Sequence, residues 1–96
     1  MKPSIALNTH REAIRRIVAE RRARNPRVFG SVLHGVDREG SDLELLVDST
    51  SDTSLLDLAG IELELERLLG VRVEVITAGS LPESFRGRVI AEARPI

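Results

Sequence analysis

The chain contains the motif Gly30-Ser31-Val32-Leu33-His34-Gly35, followed after a short polar loop by Ser41-Asp42-Leu43-Glu44-Leu45-Leu46-Val47, from which the fold prediction starts. Its second half is an apolar run typical of a strand that is buried on at least one face. Residues i and i+2 of a strand point to the same face, so Asp42 and Glu44 project together. Paired carboxylates offer the hard oxygen ligands that Mg²⁺ prefers. We therefore expect a metal site at the start of this strand.

The Gly30-Ser31 pair comes directly before a predicted helical turn. Glycine lets the backbone approach a phosphate closely, and free N–H groups at a helix start, together with the serine hydroxyl, bind phosphate oxygens. Glu74 lies in the middle of the next predicted strand, and it supplies a third carboxylate if the two strands are neighbours in one sheet. The chain has no Walker A sequence and no G-x-G-x-x-G, which excludes the common nucleotide-binding loops.

The surrounding pattern predicts an alternation of helices and strands. Capping-box patterns at Thr9–Glu12 and Ser80–Glu83 indicate the starts of a first and a last helix. The predicted elements are a helix over 9–24, a strand over 27–29, one or two helical turns over 32–35, a strand over 42–47, a helix over 54–69, a strand over 71–76 and a helix from 80 onwards. This order, α-β-α-β-α-β-α, predicts an α/β (α+β) fold with a three-stranded mixed sheet and helices packed on it.

Residues 54–69 are ambiguous by pattern alone. Ile61–Glu66 alternates between apolar and acidic side chains, which is the period of a strand. Leucine and glutamate are strong helix formers, however, and Gly70 stands where a helix usually ends. Because the stretch is also too long for a typical strand, we predict a helix.

The quoted motif resembles that of a known family. Gly30–Gly35 and Ser41–Val47 are similar to the Gly-Ser-x-x-x-Gly … Ser-Asp-x-Asp-Leu-x-Val signature of minimal nucleotidyltransferases in the DNA polymerase β-like superfamily. The short members of this superfamily include the MNT antitoxins, which are paired with HEPN-domain toxins. The resemblance covers nearly the whole chain, because Val71–Thr77 is similar to the strand that carries the family's third acid.

This resemblance implies an enzyme that transfers AMP from ATP to a hydroxyl group, a tyrosine of the HEPN ribonuclease in the paired systems. Gly30, Ser31 and Ser41 would bind the nucleotide. The catalytic and metal-binding residues implied are Asp42, Glu44 and Glu74, which would hold two Mg²⁺ ions.

Two of the three acids differ from the family pattern, since Glu44 and Glu74 stand where aspartates are usual. Each glutamate adds one methylene, roughly 1.5 Å of reach, whereas catalytic geometry tolerates about 0.5 Å of misplacement. His34 also stands where the family often has an arginine. Two hypotheses follow: a compensated active site, or an antitoxin that no longer catalyses and neutralises its toxin by binding alone.

Composition limits the remaining function classes. The 96 residues form one expected domain, residues 1–96, with two phenylalanines, no other aromatic residue and no cysteine. Base stacking, disulfides, thiolate zinc sites and a cysteine nucleophile are therefore not expected. No apolar run approaches the roughly 20 residues of a membrane span, and the expected compartment is the cytoplasm.

Charge is distributed unevenly along the chain. Residues 1–27 carry eight basic and two acidic side chains, whereas residues 28–96 carry six basic and thirteen acidic ones. The arginine-rich first helix is a solvated face, a docking face for an acidic partner, or a contact for RNA. A chain this small offers little surface to enclose both a triphosphate and an acceptor, so we expect it to work in a hetero-oligomer, with nucleic acid involved only indirectly.

Overall fold

The computed structural model describes all residues from Met1 to Ile96. In chain order the elements are α1 (Pro3–Thr9), α2 (Arg11–Glu20), β1 (Ala23–Phe29), α3 (Gly30–Leu33), β2 (Leu43–Ser49), α4 (Leu55–Leu69), β3 (Val73–Ile76), a 3-10 turn (Ala78–Ser80), α5 (Glu83–Glu92) and β4 (Arg94–Pro95). No helix is both long enough and apolar enough to cross a membrane.

The sheet is mixed, as predicted, but it has four strands in the order β3-β2-β1-β4 instead of three. β2 pairs antiparallel with β1 and parallel with β3. The extra strand, β4, is only two residues long and pairs antiparallel with β1. A strand of two residues has no period that a sequence pattern could reveal, which is why the prediction of three strands missed it.

The two faces of the sheet are covered unequally. One face, which includes the fully buried Leu45, packs with α1, α2 and α4 around a core of 15 residues. On the opposite face only Phe29, Leu46 and Leu81 form a buried cluster, with Val89 of α5 packed against it. Side chains at the ends of the strands on this second face therefore remain accessible.

The predicted first helix, 9–24, is wrong in its bounds. It is two helices, α1 and α2, with His10 between them, and β1 already begins at Ala23. The Thr9–Glu12 capping box does not form, because the Thr9 hydroxyl donates instead to the carbonyl of Ile5.

β1 is longer than the predicted strand 27–29 because β2 pairs with it even where its own sequence is unfavourable. The pairing register shifts between Arg24 and Arg27, at Asn25 and Pro26. Asn25 has a φ of +53° there. This irregularity lets the strand accommodate a proline, which cannot donate a ladder hydrogen bond.

The helix predicted over 54–69 is confirmed as α4. Ser54 caps it in a capping box with Asp57, and Gly70 ends it in the left-handed conformation with a φ of +71°. The Ser80–Glu83 capping box does not form, since Ser80 lies in the 3-10 turn and Pro82 precedes α5 without a side-chain cap. Strand β3 is shorter than predicted, because residues 71 and 72 lie outside it.

The basic N-terminal segment folds back onto the acidic remainder of the chain. Arg21 pairs with Glu64 at 2.6 Å, and Arg22 pairs with Asp57. With Arg27–Asp48 and Arg16–Glu20, four of the eight basic side chains in residues 1–27 are in ion pairs. Much of the positive charge is thereby neutralised within the protein.

Candidate active site

The three predicted acids leave the sheet from one face. Glu44 on β2 and Glu74 on β3 are register partners in the parallel pairing, so β2 and β3 are neighbours, as the hypothesis of a third carboxylate requires. Asp42 lies two residues before Glu44 in extended chain and therefore projects to the same side. Glu44 is also the register partner of Phe29, the residue before Gly30. The backbone thus assembles the acids beside the Gly30-Ser31 turn.

Asp42 has an oxygen that lacks a hydrogen-bond partner. Its Oδ1 is shielded from solvent and accepts no hydrogen bond. The Nε atom of Arg72 lies 3.0 Å from this oxygen, without the geometry of a hydrogen bond. The guanidinium neutralises the charge of the carboxylate, but Oδ1 still accepts no hydrogen bond. A bound metal ion would satisfy this oxygen.

Glu44 folds back against the Gly30-Ser31 turn. A Cβ atom built on Gly30 would lie 1.6 Å from Oε2 of Glu44, so only glycine leaves room for this carboxylate. Gly30 also has a φ of +75°, a conformation that disfavours any other residue. Partial burial, followed by the charges of Glu74 and Asp42, raises the pKa of Glu44, and the backbone N–H of Ser31 opposes this shift.

Glu74 is exposed and makes no ion pair. Arg72, two residues before Glu74, contacts Asp42 instead. Three carboxylates on one face form an all-oxygen donor set that suits Mg²⁺, and the free Oδ1 of Asp42 fits such an ion. In the present rotamers, however, no three acidic or histidine side chains are close enough together to hold a metal. The oxygen donors and the backbone positions of these three acids suit Mg²⁺. Their side chains must change rotamer before they can bind the same ion.

Ser41 lies beside the acids in sequence, yet its hydroxyl is engaged in the preceding turn. Its Oγ accepts the backbone N–H of Arg38 at 2.9 Å, and its own N–H donates to the Arg38 carbonyl at 3.0 Å. These two bonds fix the loop from which Asp42 enters β2. Nucleotide binding by Ser41 stays a prediction.

A cleft of about 420 Å³ opens next to Gly30, between α3 and α5. It is lined by Phe29, Gly30, His34, Phe85, Arg88, Val89 and Glu92. A larger cleft, of about 630 Å³, lies beside β4 and does not include Gly30. Neither cleft is lined by any of the three acids, so the smaller cleft adjoins the candidate site through Gly30 alone.

Two arginines of this region were expected from the sequence only as possible ion-pair partners of Glu74, not as site residues. Arg72 precedes Glu74 by two residues and was expected on the same strand face, but it pairs with Asp42 instead. Arg88 comes from α5 and lines the cleft beside Gly30. No local pattern brings α5 to that position, so only the tertiary structure shows it. His34, which stands where the family often has an arginine, has its Nε2 3.2 Å from Oε2 of Glu92.

Residues 8–96 match the nucleotidyltransferase domain family. The chain belongs to this family. The match confirms the predicted resemblance to nucleotidyltransferases and the predicted enzyme class. The matched residues include Gly30, Ser31 and all three acids. A relative from Thermococcus cleftensis, protein adenylyltransferase MntA, is 40% identical over 65 residues, which are 68% of this chain and 66% of the relative.

Solved structures agree with the fold of this nucleotidyltransferase. A minimal nucleotidyltransferase superposes with a TM-score of 0.86 at 43% identity, covering 97% of this chain and 95% of that one. A toxin-antitoxin structure with AMP-PNP superposes with a TM-score of 0.73 at 15% identity. The superposition covers 88% of this chain and 69% of the chain in that structure. The second likeness shows a shared fold.

Proposed function

We propose that this nucleotidyltransferase transfers AMP from ATP to a hydroxyl group, first of all a tyrosine, of a HEPN-domain toxin and so acts as its antitoxin. The observation that carries the proposal is the placement of Asp42, Glu44 and Glu74 on one face beside the Gly30-Ser31 turn. The adenylyltransferase relative and the toxin-antitoxin structure with AMP-PNP support the nucleotide and the kind of partner. Residues 1–96 would act as one unit.

In this proposal the three carboxylates hold two Mg²⁺ ions. When bound, the ions would neutralise the triphosphate and lower the pKa of the acceptor hydroxyl. Asp42 contributes the oxygen that has no donor, and Glu44 and Glu74 contribute side chains from adjacent strands. Gly30 lets the phosphates approach the backbone, and the N–H of Ser31 donates to a phosphate oxygen. Arg88, in the adjoining cleft, adds a positive charge on the same side as Gly30.

A second candidate function is an antitoxin that binds its toxin without modifying it. It is favoured by one observation, namely that the carboxylates do not converge in their present rotamers. An RNA-binding adaptor that uses the arginine-rich first helix is the weaker alternative. Four of the eight basic side chains in residues 1–27 already pair with acids. Both alternatives predict that toxin is never covalently altered.

Co-expression with the cognate toxin tests the proposal. Intact mass spectrometry of the toxin should show an added AMP with the wild-type chain and none with Asp42→Ala. The matched control is Asp52→Ala, which removes an exposed aspartate after the opposite end of β2 and should leave the adduct in place. Protection from toxicity without any adduct in the wild type would instead establish the binding-only antitoxin.

A further inference from the structure

The carboxylate of Glu44 lies where the Gly30-Ser31 turn would receive a phosphate. Its Oε2 occupies the space that a Cβ on Gly30 would need, 1.6 Å from that position. A carboxylate and a phosphate are both oxygen anions of the kind that backbone N–H groups bind. The acid and the nucleotide therefore require one and the same place.

The length of the side chain makes this contact possible. An aspartate at position 44 would be one methylene shorter, roughly 1.5 Å less in reach. Because Glu44 leaves β2 in register with Phe29, directly before Gly30, the extra methylene is what extends its carboxylate onto the turn. The three atoms nearest to the Cβ position of Gly30 all belong to the Glu44 carboxylate group.

We propose that Glu44 blocks the phosphate-binding turn of the metal-free protein, so that nucleotide enters only after this carboxylate turns away to bind a divalent cation. The inference rests on the proposed function of the site and adds its regulation. Cation and nucleotide then bind cooperatively, since each favours the same outward position of Glu44, and the coupling is equal in both directions. Free ATP without a divalent cation binds poorly.

Titration calorimetry with ATP in EDTA tests the block directly. Glu44→Asp keeps the charge and shortens the side chain, so it should bind metal-free ATP about fivefold more tightly than the wild type, the effect of roughly one hydrogen bond. Glu44→Ala should gain at least as much. Glu74→Ala removes an equal charge from the same face but frees no space at Gly30, and it should gain less than Glu44→Ala.

Charge repulsion alone predicts a different pattern. In that case Glu44→Asp would match the wild type, and Glu44→Ala and Glu74→Ala would gain equally. Either result would overturn the block, as would the absence of measurable ATP binding by Glu44→Asp without metal. Circular dichroism of each variant before titration confirms that it is folded.

A second measurement uses the wild-type chain alone. Mg²⁺ added without nucleotide should shift the backbone amide resonance of Ser31, because the Glu44 carboxylate that lies against the neighbouring Gly30 moves away. The same addition to Glu44→Asp should leave that resonance nearly unchanged. These binding experiments are independent of AMP transfer: a wild-type chain that fails to modify its toxin contradicts the proposed function, whereas equal affinities of wild type and Glu44→Asp contradict the block.

Discussion

Glu44 and Glu74 oppose each other across the parallel strands β2 and β3 and leave the sheet from the same face. After partial burial, the charge of Glu74 is the largest cause of the raised pKa of Glu44. Two like charges held by the backbone in this way destabilise the metal-free protein locally. A divalent cation between them converts repulsion into attraction, which gives the first prediction.

Mg²⁺ should raise the thermal unfolding temperature of the wild-type protein. A cation that binds only the folded state stabilises it by about 2.7 kcal/mol at a hundredfold excess over Kd. Glu74→Ala should lose most of this gain, while Asp52→Ala should retain it. The measurement is differential scanning calorimetry over a range of MgCl₂ concentrations at constant ionic strength. A wild-type protein indifferent to Mg²⁺ would refute the metal site.

Acid should weaken the start of α4. The carboxylate of Asp57 has a lowered pKa, chiefly because the backbone N–H of Ser54 donates to it and next because Arg22 does. A lowered pKa means that this stabilisation is fully present above the ordinary aspartate value of about 4 and is lost as the pH falls through the folded-state value.

Asp57→Ala should therefore be less stable than the wild type at neutral pH, and the difference should shrink as the pH is lowered below about 4. Urea unfolding at several pH values measures it. The exposed Asp52 again supplies the control, because Asp52→Ala should show no such pH-dependent difference. A constant penalty at every pH would show that the charge of Asp57 does not contribute.

Two glycines with similar backbone conformations separate strain from crowding. Gly30 and Gly35 have φ values of +75° and +72°, but only Gly30 has a neighbour in the space of a Cβ atom, the Glu44 carboxylate. Each alanine substitution should cost about 1–2 kcal/mol from the left-handed conformation. At Gly30 the Glu44 carboxylate must also turn away and give up its present contacts, so Gly30→Ala should cost more than Gly35→Ala.

Denaturant unfolding of both variants, with and without Glu44→Ala, measures the coupling between Gly30 and Glu44. The free energy of unfolding should show coupling for Gly30→Ala and none for Gly35→Ala. Equal coupling at the two glycines would contradict the close approach of Glu44 to Gly30.

The free edge of the sheet is protected by α4. The backbone N–H groups of Val75 and Val73 donate to the side chains of Glu62 and Glu66, at 2.8 and 3.1 Å. Without these acceptors β3 would present unpaired donors, which invite pairing with another chain. The double variant Glu62→Ala/Glu66→Ala should lose about 0.5–1.5 kcal/mol per bond and self-associate at high concentration.

Light scattering and urea unfolding measure these two effects. The matched control is Glu62→Gln/Glu66→Gln, which keeps an oxygen acceptor at each position and should remain closer to the wild type. If both double variants stay monomeric and equally stable, the two glutamates do not protect the edge.

Features that depend on neighbouring residues could be predicted from local sequence. Asp42 and Glu44 share a face because strand side chains alternate, and α4 ends where Gly70 can adopt a positive φ that other residues resist. Helix-forming residues, the length of the stretch and Gly70 likewise predicted α4 in spite of the alternation over Ile61–Glu66, and the structure confirms it. Short-range sterics and periodicity explain each of these successes.

Features that depend on residues distant in the chain could be seen only in the folded protein. The division of the first helix at His10, the long β1 and the added β4 arise from pairing and packing that override local preference. So do the ion pairs that join Arg21, Arg22 and Arg27 to acids later in the chain. The closing of Glu44 over Gly30 belongs to the same class, because it needs β1 and β2 in register and one methylene of reach, and no spacing along the chain encodes a distance between strands.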